Sequence, residues 1–271
     1  MNYNPKEALI GLGFSRDHAD LIMKGLSAPD GLFLVTGISG TRKGVTLMEL
    51  IKMAPLVPAV KTYESSFPSA NGATESKQSL DHKFYVLPEF HSFTMAAACA
   101  EIINFRGRVF SKINASTVFD APLRIQSFEK GPDGLSVEIK LSAIICQTCL
   151  GRPCGHCSLD YSEARNSLHE DVRFLIDSRI NESDLQNLRF KNSEGCQHCR
   201  YGSSEFSFAA EVIVPNQEML ALFRKREFVE AREMFISQGG KFMFDHAIEK
   251  ASKGIVDLED IVKRIGVGPY I

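Results

Sequence analysis

An apolar run that ends in a glycine-rich loop constrains this chain more than any other feature. Residues 31–36 read Gly-Leu-Phe-Leu-Val-Thr, and such a continuous apolar run is typical of a strand buried on both faces of a parallel sheet. The loop that follows contains Gly37, Gly40 and Lys43, and residues 45–53 have helical character. Strand, glycine loop and helix in this order predict a phosphate-binding loop of the form G-x-x-x-x-G-K-[ST].

The loop departs from this motif at two positions. Arg42 stands where the second glycine belongs, and Gly44 replaces the hydroxyl residue that normally ligates Mg²⁺. Lys43 keeps the positive charge that lies near the phosphates of a bound nucleotide. Two interpretations therefore stay open at this point: an ATP/Mg²⁺ site, or a strand-to-helix turn that binds no phosphate. The candidate nucleotide-binding residues are Gly37, Ser39, Gly40, Thr41, Arg42, Lys43, Gly44 and Val45.

Two further apolar segments end in a carboxylate. Glu64 ends a predicted strand that begins at residue 59, and Glu89 ends another that begins at residue 83. Ligands of open α/β sheets bind at the carboxyl ends of the strands, where the loop would also lie. A carboxylate there can hold Mg²⁺ through water or polarise the attacking water. Glu89 and Glu64 are thus the candidate catalytic residues, and the alternative is a pair of solvated strand-end glutamates.

Strands that alternate with helices predict an open α/β sheet. Residues 93–105 have helical spacing, residues 109–113 form a short strand candidate, and residues 216–271 resemble amphipathic helices. The composition changes near residue 146, where cysteine pairs begin to enclose a polar stretch. We therefore expect a nucleotide-binding core over residues 1–145, a cysteine-rich element with a closing core segment over 146–215, and a helical subdomain over 216–271.

Two C-x-x-C pairs predict a structural metal site. Cys154 and Cys157 form one pair, and Cys196 and Cys199 form the other about forty residues later. Four thiolates from two such pairs suit a closed tetrahedral Zn²⁺ site with no open position for catalysis. Other ligands stay possible, because a third pair lies just upstream and two histidines lie inside the pairs. These other candidates are Cys146, Cys149, His156 and His198.

Charge and hydropathy narrow the range of partners. The formal net charge is −2, without the basic excess that accompanies nucleic-acid binding, so we expect no nucleic-acid partner. No apolar run approaches the roughly 18–20 residues that a membrane-spanning helix needs. The first residues, Met-Asn-Tyr-Asn-Pro-Lys-Glu, lack the pattern of a signal peptide. These observations predict a cytoplasmic protein.

In combination, these segments resemble the type II secretion and type IV pilus assembly ATPases, from about residue 8 to the end. Residues 30–46 are similar to the family's phosphate-binding loop, and residues 62–66 to the strand end known as the Asp box. Residues 88–92 match the Walker B segment, whose glutamate is Glu89 here, and residues 106–121 match the His box. The cysteine pairs match the family's R-L-C-P-H-C and G-C-x-x-C motifs, which point to the assembly or secretion branch.

The resemblance implies a RecA-like P-loop NTPase core with a zinc-knuckle insertion and a C-terminal helical subdomain. It implies a homo-hexamer, or co-assembly with another ATPase of the same kind, with ATP between subunits. It also implies a location at the cytoplasmic face of the bacterial inner membrane and a platform protein there as partner. Zinc would be structural, Lys43 would bind phosphate, Glu89 would orient water and Glu64 would assist Mg²⁺.

Several of the family's nucleotide motifs are changed in this chain. Arg42 and Gly44 alter the loop, and Arg108 and Asn114 stand at the histidines of the His box. Residues 65–105 contain no arginine, although the family places phosphate-contacting arginines there. Two hypotheses follow: a motor ATPase with a partly degenerate site, or a catalytically inactive pseudo-ATPase that acts as a structural or regulatory partner of a true ATPase.

Overall fold

A computed structural model describes residues 3–54, 61–62 and 84–268 of the chain. Within these residues, six strands form the main sheet, in the order β2-β3-β4-β1-β5-β8. Their bounds are β1 Gly31–Thr36, β2 Lys61–Thr62, β3 Phe84–Val86, β4 Arg108–Ile113, β5 Leu141–Pro153 and β8 Ser203–Ile213. Strand β1 pairs in parallel with β4 and β5, and β3 pairs in parallel with β2 and β4. A second, antiparallel pair joins β6 Leu159–Asp160 to β7 Arg189–Phe190.

Helices follow most of the strands. They are α1 Pro5–Leu12, α2 Arg16–Leu26, α3 Lys43–Met53, α4 Phe93–Asn104, α5 Asp120–Phe128, α6 Tyr161–Ala164, α7 Glu170–Arg179, α8 Gln217–Lys225, α9 Phe228–Ser237, α10 Met243–Ala251 and α11 Leu258–Arg264. Two 3₁₀ turns cover Pro132–Gly134 and Glu182–Asn187. Among the described residues, none of these helices has the length and apolar character needed to cross a membrane.

Packing divides the described residues into two compact units. The first takes in those of Met1–Ala8, Arg16–Cys146 and Val212–Gly240. All six residues of β1 are buried, as a continuous apolar strand between two covered faces requires. The Phe33 and Phe110 rings on neighbouring strands stack with centroids 5.7 Å apart. Helices α8 and α9 belong to this unit, because Phe119 packs edge-on against Phe223 and Phe235.

The second unit takes in the described residues of Leu9–Ser15, Gln147–Glu211 and Lys241–Ile271. Its core combines apolar side chains of β5, α7, β8, α10 and α11. Helix α7 buries Val172, Leu175 and Ile176, whose spacing places them on one helical face. The Asp257 side chain accepts a hydrogen bond from the Glu259 backbone N–H at 2.9 Å and so caps α11.

Several sequence-based expectations are confirmed. The central strand at residues 31–36 is β1, and the helices predicted at 45–53 and 93–105 are α3 and α4. Helix α3 begins two residues before the predicted start, which places Lys43 inside its first turn. The mixed α/β fold with a mostly parallel sheet is present. The division into 1–145, 146–215 and 216–271 stays a prediction, since the two packing units each combine separate stretches of chain.

Candidate functional site

The phosphate-loop residues connect β1 to α3 through a sequence of left-handed backbone conformations. Gly37 has a φ of 147° and Gly40 a φ of 82°, which glycine adopts without steric cost. Arg42 also adopts a left-handed conformation, with φ 56° and ψ 33°. The backbone at this position therefore favours the glycine of the motif, and the arginine carries a conformational cost of about 1–2 kcal/mol.

Lys43, the first residue of α3, folds back over the loop. Its ammonium group donates to the Gly37 carbonyl at 2.8 Å, to the Ile38 carbonyl at 3.2 Å and to Asn114 Oδ1 at 2.5 Å. Only 8% of the residue's surface is exposed. Burial lowers the pKa of Lys43 below its usual value, whereas the nearby Glu89 carboxylate acts in the opposite direction. The loop lysine is therefore largely buried, and its ammonium group is bonded by its own loop and by one side chain just after β4.

Glu89 lies at the same edge of the sheet. The Leu87 N–H donates to the Phe110 carbonyl at 2.9 Å and the Phe90 N–H to the Lys112 carbonyl at 3.0 Å, so this segment follows β4 to its carboxyl end. Glu89 is half-buried there, within electrostatic reach of Lys43. The structure thus brings the loop lysine and one candidate catalytic carboxylate together. Glu64, the other candidate, lies outside the described residues.

The remaining loop residues differ in their exposure. Ser39, Gly40, Arg42, Gly44 and Val45 are exposed. Thr41 is buried, and its hydroxyl donates to the Ile38 carbonyl at 2.9 Å. A Cβ atom placed on Gly44 would meet no heavy atom within 4 Å, so the absent hydroxyl side chain has room. The first N–H groups of a helix have no partner inside the helix, and this end of α3 can therefore face an anion.

Sequence reasoning missed the contact between Asn114 and Lys43. Asn114 was identified only as a position where the family has a histidine. The signal that could have found it is its place directly after β4, since polar side chains at strand ends line the ligand edge of parallel sheets.

Four cysteine side chains meet in the second unit. Cys154 and Cys157 lie just after β5, and Cys196 and Cys199 lie between β7 and β8. Their sulfur atoms all lie within 4.8 Å of one another. The Sγ–Sγ distances are 3.8 Å for Cys154–Cys196, 3.6 Å for Cys157–Cys199 and 3.8 Å for Cys196–Cys199. The cluster joins two segments of the chain that are 42 residues apart.

The chemistry of this cluster fits Zn²⁺. A zinc ion with four Zn–S bonds near 2.3 Å requires sulfurs about 3.8 Å apart. The His156 and His198 backbone N–H groups donate to Cys154 Sγ and Cys196 Sγ, both at 3.4 Å. The His156 N–H lowers the pKa of Cys154 to about 7, while burial raises that of Cys157 to about 12. Four thiolates so close together need a cation between them, which a divalent metal supplies.

The alternative ligand candidates lie elsewhere or make other contacts. The rings of His156 and His198 stack on each other with centroids 4.1 Å apart. Cys146 belongs to the first unit, where its thiol donates to the Ser116 carbonyl at 3.3 Å. Within the described residues, the cluster consists of the two pairs Cys154/Cys157 and Cys196/Cys199.

Replacing Gly202 by alanine is expected to destabilise the loop that carries Cys196 and Cys199. Gly202 has a φ of 73°, and a Cβ there would lie 2.4 Å from the Asn192 carbonyl oxygen. The left-handed conformation costs an alanine about 1–2 kcal/mol, and the backbone clash adds to it. Gly266→Ala is the control, because Gly266 has a φ of 94° but open space around it. The difference in melting temperature between the two variants therefore measures the clash without the cost of the left-handed conformation. Equal melting temperatures for the two variants would contradict this packing.

Comparison with known proteins finds two pilus assembly ATPases that are similar in sequence to this chain. The type IV pilus assembly ATPase PilB of Thermus thermophilus is 22% identical over 273 aligned residues, which cover 93% of this chain and 30% of that protein. The type IV pilus assembly ATPase PilB of Pseudomonas aeruginosa is 20% identical and is covered to 46%, with 92% of this chain aligned. The chain therefore spans about a third to a half of these relatives. No family model matches the sequence.

Solved structures show the same fold. The ATPase DotB of Legionella pneumophila superposes with a TM-score of 0.58 at 13% identity, over 96% of this chain and 65% of that one. The pilus retraction motor PilT with bound ADP gives a TM-score of 0.59 at 14% identity, over 97% of this chain and 67% of that one. The chain thus shares the fold of these two proteins.

Proposed function

We propose that the chain is a member of the type IV pilus and secretion ATPase family and that it binds ATP through residues 37–45, as a motor-family ATPase homologue of a type IV pilus assembly or type II secretion system. One observation carries the proposal. The loop between β1 and α3 runs through left-handed conformations at Gly37, Gly40 and Arg42 to a helix N-terminus, and Lys43 Nζ donates to the Gly37 and Ile38 carbonyls.

Within this proposal, each candidate site residue has a role. Lys43 supplies positive charge to the nucleotide phosphates, and the N–H groups at the start of α3 donate to phosphate oxygens. Glu89 orients the attacking water, and Glu64 assists in holding Mg²⁺. Zinc at Cys154, Cys157, Cys196 and Cys199 is structural, since four thiolates leave no open coordination position.

The proposed setting follows from the family. The chain works as a homo-hexamer or co-assembles with another pilus or secretion ATPase, at the cytoplasmic face of the bacterial inner membrane. An inner-membrane platform protein is its partner, and nucleic acid is not.

A second function is supported by two features of the site. Gly44 has no hydroxyl to ligate Mg²⁺, and all three donors of Lys43 are engaged by the protein. These features favour a pseudo-ATPase that binds nucleotide weakly and regulates or supports a true ATPase. Loss of a single electrostatic contact to a transition state costs about 10²–10³ in rate, so catalysis would fall before binding does.

Substituting Lys43 by alanine is expected to abolish any Mg²⁺-ATP turnover of the purified protein, because the loop loses its charge. Phosphate release should be compared among the wild type, Lys43→Ala and Lys52→Ala. Lys52 lies on the same helix, where it pairs with Glu49 at 3.0 Å on the exposed side. Turnover that is lost only in Lys43→Ala supports an ATPase. Wild-type turnover no faster than that of Lys43→Ala removes the ATPase and leaves the pseudo-ATPase.

A further inference from the structure

The ammonium group of Lys43 has no donor left for a phosphate in this structure. An ammonium carries three N–H donors. Two of them go to the Gly37 and Ile38 carbonyls, at 2.8 and 3.2 Å, and these groups belong to the same loop as the lysine. The third and shortest bond, at 2.5 Å, goes to Asn114 Oδ1, 71 residues away in the sequence. A phosphate oxygen that approaches Lys43 must therefore displace one of these three acceptors.

Asn114 is held in place by its surroundings. It follows β4 directly, and the register pairs Ile113 with Thr36, so Asn114 lies beside the first loop glycine. The two residues after it are fixed as well. The Thr36 hydroxyl donates to the Ala115 carbonyl at 3.2 Å, and the Cys146 thiol donates to the Ser116 carbonyl at 3.3 Å. These contacts anchor the backbone next to Asn114, so its exposed side chain stays within reach of the loop.

We infer that Asn114 is a positioning residue for Lys43: it holds the ammonium group against the loop and competes with the nucleotide phosphates for it. The inference rests on the proposed nucleotide function and adds a determinant of affinity to it. A neutral amide is suited to this competition. It accepts one hydrogen bond without a full charge, so a phosphate with its negative charge can win the lysine, whereas a carboxylate at the same position would hold it more tightly.

The first test measures Lys43 without any nucleotide. Acylation of lysines by acetic anhydride, followed by peptide mass spectrometry, reports how freely each amine reacts. Asn114→Ala should increase the acylation rate of Lys43 by about three- to tenfold, as expected when one hydrogen bond is lost. Asn114→Asp should slow it below the wild-type rate, because a carboxylate favours the charged amine. Lys52 provides the internal reference, and its rate should stay the same in all three proteins.

The second test measures ATP affinity by calorimetric titration. Asn114→Ala should bind Mg²⁺-ATP about three- to tenfold more tightly than the wild type, and Asn114→Asp should bind it more weakly by at least as much. General damage to the loop would weaken ATP binding in both variants. Tighter binding by Asn114→Ala together with weaker binding by Asn114→Asp therefore distinguishes the proposed role from such damage.

The outcomes separate the two proposals. Equal acylation of Lys43 in all three proteins overturns the role of Asn114, and so does weaker ATP binding by Asn114→Ala. If neither the wild type nor any variant binds ATP, the nucleotide function fails. The order of the Lys43 acylation rates in the three proteins then decides by itself whether Asn114 positions Lys43.

Discussion

Replacing Cys196 by serine is expected to release the metal and to lower the melting temperature by more than about 10 °C. Cys196 Sγ lies 3.8 Å from both Cys154 Sγ and Cys199 Sγ, so the substitution removes one of the four sulfur ligands. A zinc ion bound only to the folded state contributes its binding free energy to stability. The effect falls on the second unit, whose two cysteine-bearing segments lie on either side of α6 and α7.

Metal analysis by mass spectrometry and thermal unfolding check this expectation. The wild type should contain about one zinc per chain, as four thiolates bind a single ion. Cys149→Ser is the matched control, because it makes the same chemical change in the same unit outside the four-cysteine cluster. It should keep its zinc. Absence of metal from the wild type, or full zinc content in Cys196→Ser, contradicts the assignment of the cluster.

Restoring the motif with Arg42→Gly and Gly44→Thr is expected to raise kcat/KM for Mg²⁺-ATP by about 10–100-fold, below the roughly 10²–10³-fold that one well-placed transition-state contact contributes. Glycine at residue 42 removes the cost of a left-handed arginine, whose φ is 56°. Threonine at residue 44 places a hydroxyl where the motif provides its Mg²⁺ ligand, and the space there is open. Both changes lie at residues that the fold accommodates.

Steady-state phosphate release should be compared between this double variant and Arg42→Gly/Gly44→Ala, so that the difference in rate reports the effect of the threonine hydroxyl. Alanine fills the same space and removes the same glycine flexibility from α3, but it cannot ligate a metal. The gain should depend on Mg²⁺ and disappear with EDTA. If the threonine and alanine double variants turn over ATP at the same rate, residue 44 does not contact the metal, and the loop differs from the motif in more than two side chains.

Much of the nucleotide edge could be predicted because its signals are local. The apolar run of β1, the glycines after it and the helix that starts at Lys43 are adjacent in the sequence, and the structure places them as predicted. The left-handed conformation of Arg42 agrees with the expectation that this position needs glycine. The cysteine cluster could be predicted equally well, since two C-x-x-C pairs are the usual ligand spacing of a structural zinc site.

Other features depend on contacts between distant segments. The bond between Lys43 and Asn114 requires the parallel register of β1 and β4, which residue spacing does not reveal. Strand β5 runs from Leu141 to Pro153 and so crosses the boundary predicted at residue 145. Helix α7 lies in a stretch described as polar, and its three buried residues at helical spacing were an available signal.

A calorimetric titration of Mg²⁺-ATP into the wild type and Lys43→Ala tests most directly whether the loop binds nucleotide. The account predicts that the wild type binds Mg²⁺-ATP saturably. Lys43→Ala should bind it with an affinity at least about tenfold lower, because a charge-assisted contact to phosphate is lost. Lys52→Ala should bind as the wild type does. Absence of any heat of binding with the wild type, or equal affinities for the wild type and Lys43→Ala, would contradict a nucleotide site at residues 37–45.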